Sequence, residues 1–588
     1  MGIKQAFCVT GGSAAHLMEA LRKSNIKVIH NYHEQACVMA ADGYFRISKR
    51  PSLILVTNGP GVSNSLTGVL GAYQDSIPMV IVSGQVPLKH SLHNHKSKLR
   101  QLGIQEVETI ELVKSITKSA VQVSNVNELE KILNESWATA VSGRPGPVWI
   151  EVPLDVQAES ADFLKNRVEF SSPIKSAKKI NKSLIAKIFS ELQSAKKPVI
   201  VAGSGIRISN SEEIFVELIK RLQIPVVSTW NASDLFDWSD ELYVGNFGIL
   251  GQRAANLAIQ NSDYILVLGS RLSIPNIGHT TELFAPAAKI TMVDIDFEEL
   301  KKSTLKIDRK IHCDLNYFIS SSLELDFPIV NTQIWKTILL KWKSEFSVFN
   351  EQHEKEVGAL NAYDFIEVLS ECIPINSVVV TDMGTSFTCT MQALRNNGSN
   401  RLFTSSGTSS MGFGLPGAIG AACANPNSTI ICIAGDGGFL MNIQELQTIK
   451  HNNLNLKIFI LNSNGYLAIS VMQEHLFKGA YFGSNNLSGI SAPNFVNVAQ
   501  AFGIHSEKMQ SNYPIDKKTM RKEIIDILLR KDSGLYEINL PNNQNMKPRV
   551  RSKKTEDGKI TSGSIDMMWP FLSDTQNIDL NNDLNSIL

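Results

Sequence analysis

Short apolar runs, each closed by a glycine-rich turn and followed by a helical stretch, recur along most of this 588-residue chain. Residues 52–57 end in Asn58-Gly59-Pro60-Gly61, residues 78–83 end in Gly84, and residues 147–152 form a third run. After a polar, Lys/Ser-rich stretch at 171–182, which reads as a linker, the pattern resumes. Residues 198–202 enter Gly203-Ser204-Gly205, residues 264–268 enter Gly269-Ser270-Arg271, and residues 289–295 carry Asp294-Ile295 at their end. A second polar stretch at 320–356 contains an amphipathic helix. Strands are expected again at 377–381, 429–433 and 457–461. Such runs alternating with helices predict parallel sheets covered on both faces. The expected fold is α/β, with three doubly wound parallel-sheet domains at 1–160, 180–320 and 360–541, each of ordinary domain size. The polar, Asn-rich segment 542–588 reads as a tail, a lid or a mobile end.

Composition narrows the partners. With 57 basic and 56 acidic residues the chain is near neutral, which gives no electrostatic footprint for nucleic acid. Seven cysteines are scattered without a C-x-x-C pair, so neither a zinc cluster nor a disulfide framework is indicated. No basic-then-apolar leader opens the sequence, and no apolar run approaches the ~20 residues of a membrane helix. The expectation is a cytoplasmic protein with neither nucleic acid nor membrane as a partner.

In open α/β sheets, ligands gather where strand ends meet helix starts. The turn Gly435-Asp436-Gly437-Gly438 directly follows the 429–433 run. Its glycines let backbone N–H groups approach an anion. An Asp among them makes sense if a hard divalent cation bridges protein and phosphate oxygens. One helix, at 442–451, would return the chain to the neighbouring strand, which ends in Asn462-Ser463-Asn464-Gly465-Tyr466. Both turns would then supply oxygens to one Mg²⁺. Glu34 follows a short strand at 28–32 and opens a helix at 35–46; by itself it is an ordinary helix-start carboxylate.

Several motifs in order change that picture. His33-Glu34-Gln35-Ala36, Ala41-Asp42-Gly43-Tyr44, Asn58-Gly59-Pro60-Gly61, Asp75-Ser76-Ile77-Pro78 and Ser83-Gly84-Gln85-Val86 resemble the N-terminal domain of acetolactate synthase. Phe284-Ala285-Pro286 and Asp294-Ile295-Asp296 match its middle. Met411-Gly412-Phe413-Gly414-Leu415-Pro416, Gly435-Asp436-Gly437 and Met441-Asn442-Ile443-Gln444-Glu445-Leu446 match its last domain. The resemblance runs to about Pro541 and is to the thiamine-diphosphate decarboxylase/carboligase superfamily. Leu99-Arg100-Gln101-Leu102-Gly103 with Gln105-Glu106, and Asn464-Gly465-Tyr466-Leu467, are closer to the acetolactate-synthase-like proteins associated with surface polysaccharides.

The resemblance implies thiamine-diphosphate-binding folds for the first and third domains, a Rossmann-like middle, and both thiamine diphosphate and Mg²⁺ as cofactors. It implies that Glu34 bonds the pyrimidine N1′, that Met411 wedges the cofactor into its bent shape, and that Gln105 joins them in catalysis. Pro60, Asn64 and Gln85 would line the pyrimidine side, and the backbone carbonyl of Ser409 would accept from its amine. Gly384, Gly435, Gly437, Gly438 and Tyr466 complete the implied cofactor contacts. Asp436, Ser463 and the Gly465 carbonyl are the implied Mg²⁺ ligands. The implied reaction takes a 2-oxo acid, pyruvate above all, and transfers its two-carbon unit to a carbonyl acceptor, either another 2-oxo acid or a keto-sugar nucleotide. A simple decarboxylase and an inactive binding or regulatory protein are the alternatives. The family builds its sites across subunits, so a homodimer or homotetramer is expected.

Some positions depart from the family. Ser463 replaces the usual Asn, Gly384-Thr385-Ser386-Phe387 replaces Gly-x-His-Gln, Met472 precedes Gln473, and Leu272-Ser273-Ile274-Pro275 follows Arg271 without the usual acidic pair. These changes lie where acetolactate synthase binds its acceptor and FAD, so the resemblance leaves both the acceptor and FAD open. The family also has an amphipathic helix ahead of the segment matching Gly2-Ile3-Lys4-Gln5, so the expectation is either a truncated start or a misplaced initiation codon.

Overall fold

The computed structural model describes residues 2–587 apart from 93–94, 96–97, 161–178, 327–329, 510–515, 555–556 and 558–559. Three six-stranded sheets dominate it, and every ladder within them is parallel. Their strands are short, and the central ones are buried along their whole length, as in Pro198–Ala202 and Met79–Gln85. Helices cover both faces, so both faces of these strands are apolar.

The first and third sheets share one topology. Numbered within each sheet, the strands lie in the order 2-1-3-4-6-5. The first begins Lys27–His30, Gln5–Cys8, Leu53–Val56; the third begins Arg401–Phe403, Val378–Thr381, Ile430–Gly435. The central sheet differs. Tyr243–Asn246, Val226–Ser228, Pro198–Ala202, Tyr264–Leu268, Lys289–Asp294 and Arg309–His312 lie in the order 3-2-1-4-5-6, the Rossmann arrangement. In each sheet the order reverses between two adjacent central strands, which opens a crevice at their carboxyl ends.

The first and third units share one hydrophobic core, joined by the helices Glu34–Ser48 and Gly414–Ala424. The second helix is apolar all round and buried through Ala422, as a helix pressed between two layers must be. Glycines let the helices touch: a Cβ at Gly43 would fall 2.1 Å from the Gly417 carbonyl oxygen, and one at Gly420 would fall 1.9 Å from that of Ala40.

Two expectations need correction, and a third falls mostly outside the described residues. The helix expected at 442–451 is broken: a 3-10 turn, Ile443–Glu445, precedes Leu446–His451. Most of the expected 171–182 linker lies outside the described residues, and its last residue, Lys182, already begins the helix Lys182–Ser194. The segment after Pro541, expected as a lid or mobile end, is a docked strap. Ile565 and Leu580 are buried in the central unit's core, and Arg253 donates to the carbonyl oxygens of Met568 and Pro570. At its end, the helix Asp574–Asn585 lies against Trp342, whose indole N–H donates to Asp583.

Candidate functional site

Two clusters of polar side chains form, one on the first unit and one on the third. In the first, the His33 ring accepts from the Gln35 N–H at 3.1 Å and caps the helix that Glu34 begins. Glu34 is only 7% exposed, and Asn64 Nδ2 donates to its Oε2 at 3.0 Å. Asn64 sits in the first turns of Pro60–Gln74, with Pro60 as its first residue, where a missing N–H costs nothing. Gly59 ahead of it has φ +56°, and a Cβ there would lie 2.1 Å from the Gln105 carbonyl oxygen. Gln105 is itself left-handed, at φ +57°, an uncommon conformation for a residue with a side chain. Asn58 Nδ2 donates to the Ile104 carbonyl at 3.0 Å, and the Glu106 carboxylate accepts from the N–H groups of Leu102 and Gly103 at 3.1 and 2.8 Å.

Gln85, expected on the pyrimidine side, is held by bonds within the first unit. Its Nε2 donates to Val107 and Glu151, and its Oε1 accepts from the Val86 N–H at 2.9 Å. Its hydrogen-bonding groups are thus taken up inside the protein, and it braces the Gln105 loop.

In the second cluster, the strands Ile430–Gly435 and Leu456–Asn462 are parallel neighbours with Gly435 opposite Leu461. Their ends therefore meet at the sheet's crevice, as the spacing predicts. Asp436 accepts from the N–H groups of Gly437, Ser463 and Gly465 at 3.0, 3.2 and 2.8 Å. Ser463 Oγ lies 3.5 Å from Asp436 Oδ1 and 3.0 Å from the Gly465 carbonyl oxygen. One carboxylate, one hydroxyl and one carbonyl thus converge. Burial pushes the Asp436 carboxyl up to about 6, against the pull of its N–H donors. Among the described residues no cluster of three or more His, Cys, Asp or Glu could hold a metal, so this mixed oxygen set is the candidate cation site.

The glycines here divide by role. Gly435 faces open space, as does Gly384 at φ +80° before the helix Thr385–Ala393. A Cβ at Gly437 would strike the Tyr466 ring at 2.2 Å and approach Met411 Cε at 3.3 Å, and one at Gly438 would lie 2.3 Å from Asp382 Oδ1. Packing thus already requires glycine at 437 and 438, whose backbone was expected to approach a ligand. Ser409, at φ +55°, is exposed on the loop leading to Met411.

Comparison with known proteins decides the family. Residues 1–107 match "Thiamine pyrophosphate enzyme, N-terminal TPP binding domain", residues 185–321 its central domain, and residues 382–533 its C-terminal TPP binding domain. Acetolactate synthase isozyme 1 large subunit of Escherichia coli (strain K12) is 32% identical over 89% of this chain and 90% of its own. The large subunit of Lactococcus lactis subsp. lactis (strain IL1403) is 30% identical over 94% and 92%. Acetolactate synthase 3, chloroplastic, of Brassica napus is 31% identical over 96% and 85%. The chain belongs to the acetolactate-synthase-like, thiamine-pyrophosphate-dependent enzymes.

In this thiamine-pyrophosphate enzyme the 441–446 motif marks Asn442 and Glu445 but not what they hold, and no motif marks Asp382, because the partners of all three are distant in the chain. Glu445 is fully buried and accepts from Asn31 Nδ2 at 2.8 Å and the Tyr32 N–H at 3.0 Å. The turn that breaks the expected helix at 443–445 carries this carboxylate. A cavity of about 740 Å³ lies at the central sheet's crevice. Gly205, Gly269, Arg271, Asp294 and Asp314 line it, and Gln74 of the first unit and Ser406 of the third reach it. Burial pushes Asp294 up to about 6. Among the described residues no helix is long and apolar enough to cross a membrane.

Proposed function

We propose that this enzyme decarboxylates a 2-oxo acid, pyruvate above all, and transfers the two-carbon unit to a carbonyl acceptor, using thiamine diphosphate and Mg²⁺. The convergence of Asp436, Ser463 and Gly465 beside the open face of Gly435 carries the reading. That all-oxygen donor set suits Mg²⁺, which binds few protein ligands alongside phosphate oxygens. Thiamine diphosphate supplies the electron sink that lets the carboxylate leave as CO₂. Glu34 holds and exchanges a proton at the pyrimidine N1′, oriented by Asn64. Met411 would pack against the bound cofactor, the Ser409 carbonyl would accept from its amine, and Gln105 would meet the reacting carbonyl. The domain spans 1–160, 180–320 and 360–541 serve as pyrimidine, central and diphosphate units.

Incubation with pyruvate, thiamine diphosphate and Mg²⁺ should release CO₂, and chelation of Mg²⁺ should stop it. Mass spectrometry with candidate acceptors, 2-oxo acids and keto-sugar nucleotides, should find a branched adduct. Free acetaldehyde alone would make the enzyme a simple decarboxylase; no CO₂ and no calorimetric binding of thiamine diphosphate would sink the reading. Exposed Ile104, Met441 and Phe482 support assembly of a homodimer or homotetramer around the site, and light scattering tests that. The central cavity, with Arg271 and two carboxylates at a Rossmann crevice, supports a dinucleotide such as FAD there. A visible flavin spectrum of the purified protein tests it.

A further inference from the structure

The loop that carries Met411 is held from two sides by buried side chains that the proposed chemistry does not use. Asp382, fully buried, follows the strand Val378–Thr381. Its carboxylate accepts from the N–H groups of Met383 at 2.8 Å, Gly412 at 3.1 Å and Gly414 at 2.8 Å. Burial raises its pKa, and these three donors pull the other way. Asn442, also fully buried, takes the opposite side of the same residue. Its Nδ2 donates to the Gly412 carbonyl oxygen at 2.8 Å and to Gln35 Oε1 at 3.3 Å. Gln35 directly follows Glu34.

Gly412 has φ +91°, and a Cβ there would lie 2.7 Å from Met441 Cβ and 2.9 Å from Asn442 Nδ2. The residue next to Met411 is thus glycine because the Asn442 turn presses on it. Its N–H and its carbonyl are both pinned by elements outside the loop. Removing either pin strands buried backbone groups, which costs more than the bond itself contributed.

We propose that Asp382 and Asn442 are positioning residues of the active site: together they set Met411 over Gly437 and, through Gln35, tie that placement to the helix that Glu34 begins. The proposal rests on the reading that Glu34 and Met411 serve thiamine diphosphate. A loop with both peptide groups fixed presents one conformation. A loop released from either pin samples several, and small misplacements of catalytic groups are costly.

The test uses the full chain with thiamine diphosphate and Mg²⁺. Asp382→Asn keeps the volume but turns one acceptor oxygen into a donor that faces the Gly412 and Gly414 N–H groups. Calorimetric affinity for thiamine diphosphate should stay within about threefold, because the Asp436 end is untouched, while kcat falls on the order of 100-fold. The near-ultraviolet circular dichroism of the bound cofactor should change, and KM for the 2-oxo acid should not. Asn442→Ser should act alike, and the double variant should be little worse than either single one, since both act on Gly412. Wild-type kcat and dichroism with only a lowered melting temperature would overturn the proposal, and so would additive losses. If Asp382→Asn does not fold, Asn442→Ser decides by the same readouts; if neither folds, the role is structural and the proposal falls. A wild-type protein that binds no thiamine diphosphate would instead bring down the proposed function itself.

Discussion

Glu34 and Asp294 are both buried carboxylates. Glu34 receives a donated hydrogen bond from Asn64 and opens the helix Glu34–Ser48. Glu34→Gln should still accept from Asn64 and should still bind thiamine diphosphate. Its turnover, measured as CO₂ release from pyruvate, should fall about 10²–10⁴-fold, the usual worth of a positioned proton-transfer group. Asp294 is raised from 3.8 to about 6 by burial first, against its bond from the Asp296 N–H. Its ionised form is therefore disfavoured by folding. The penalty is absent below about pH 4, grows between the two values, and is complete above pH 6. Asp294→Asn should accordingly stabilise the fold at pH 8, by at most about 3 kcal/mol, and leave it unchanged at pH 3.5; urea unfolding at both pH values checks this. At this scale the Asp436, Ser463 and Gly465 cluster was legible from two strand-end turns and the helix between them. Asp382 and Asn442 were not, because each acts on Gly412 from thirty residues away, and chain distance hides such pairs.

Elements were legible wherever burial on both faces made strands into unbroken apolar runs, as at 198–202 and 264–268, which match the observed strands end to end. The common strand order of the first and third sheets was not, because it depends on which helix crosses which face. Nor was the break at 443–445, where an inward Glu445 interrupts an otherwise helical pattern. The close crossing of Glu34–Ser48 and Gly414–Ala424 depends on glycine in a way that substitution exposes. Gly420→Ala would drive its Cβ to 1.9 Å from the Ala40 carbonyl oxygen, so one helix must move. The expected cost is about 1–3 kcal/mol, read as a lower melting temperature. Gly12→Ala, where a Cβ meets nothing within 4 Å, should be near neutral in the same assay.

Across the whole molecule, ion pairs bind the three units around the central cavity. Arg144 of the first unit meets Asp296 and Glu299 of the central one, each at 3.0 Å. Asp75 accepts from Arg46 at 2.7 Å and from the Ser406 N–H of the third unit at 2.9 Å. Asp234 of the central unit is shared between Arg207 and Arg401, which hold its carboxyl low despite burial. The docked strap completes the same assembly. Removing residues 564–588 should uncover the central core at Ile565 and Leu580, lower the melting temperature and increase binding of an apolar dye; a truncated protein that melts like the intact one would contradict that account.

The strap also bears on how the chain is made. The central unit's strands leave the ribosome before any part of the third unit exists, yet Ile565 and Leu580, which close its core, follow the whole of that unit. During synthesis the central unit must therefore wait, with an apolar face uncovered, until the third unit has been translated. Messages cut short within the last domain would release chains whose central core lacks Ile565 and Leu580.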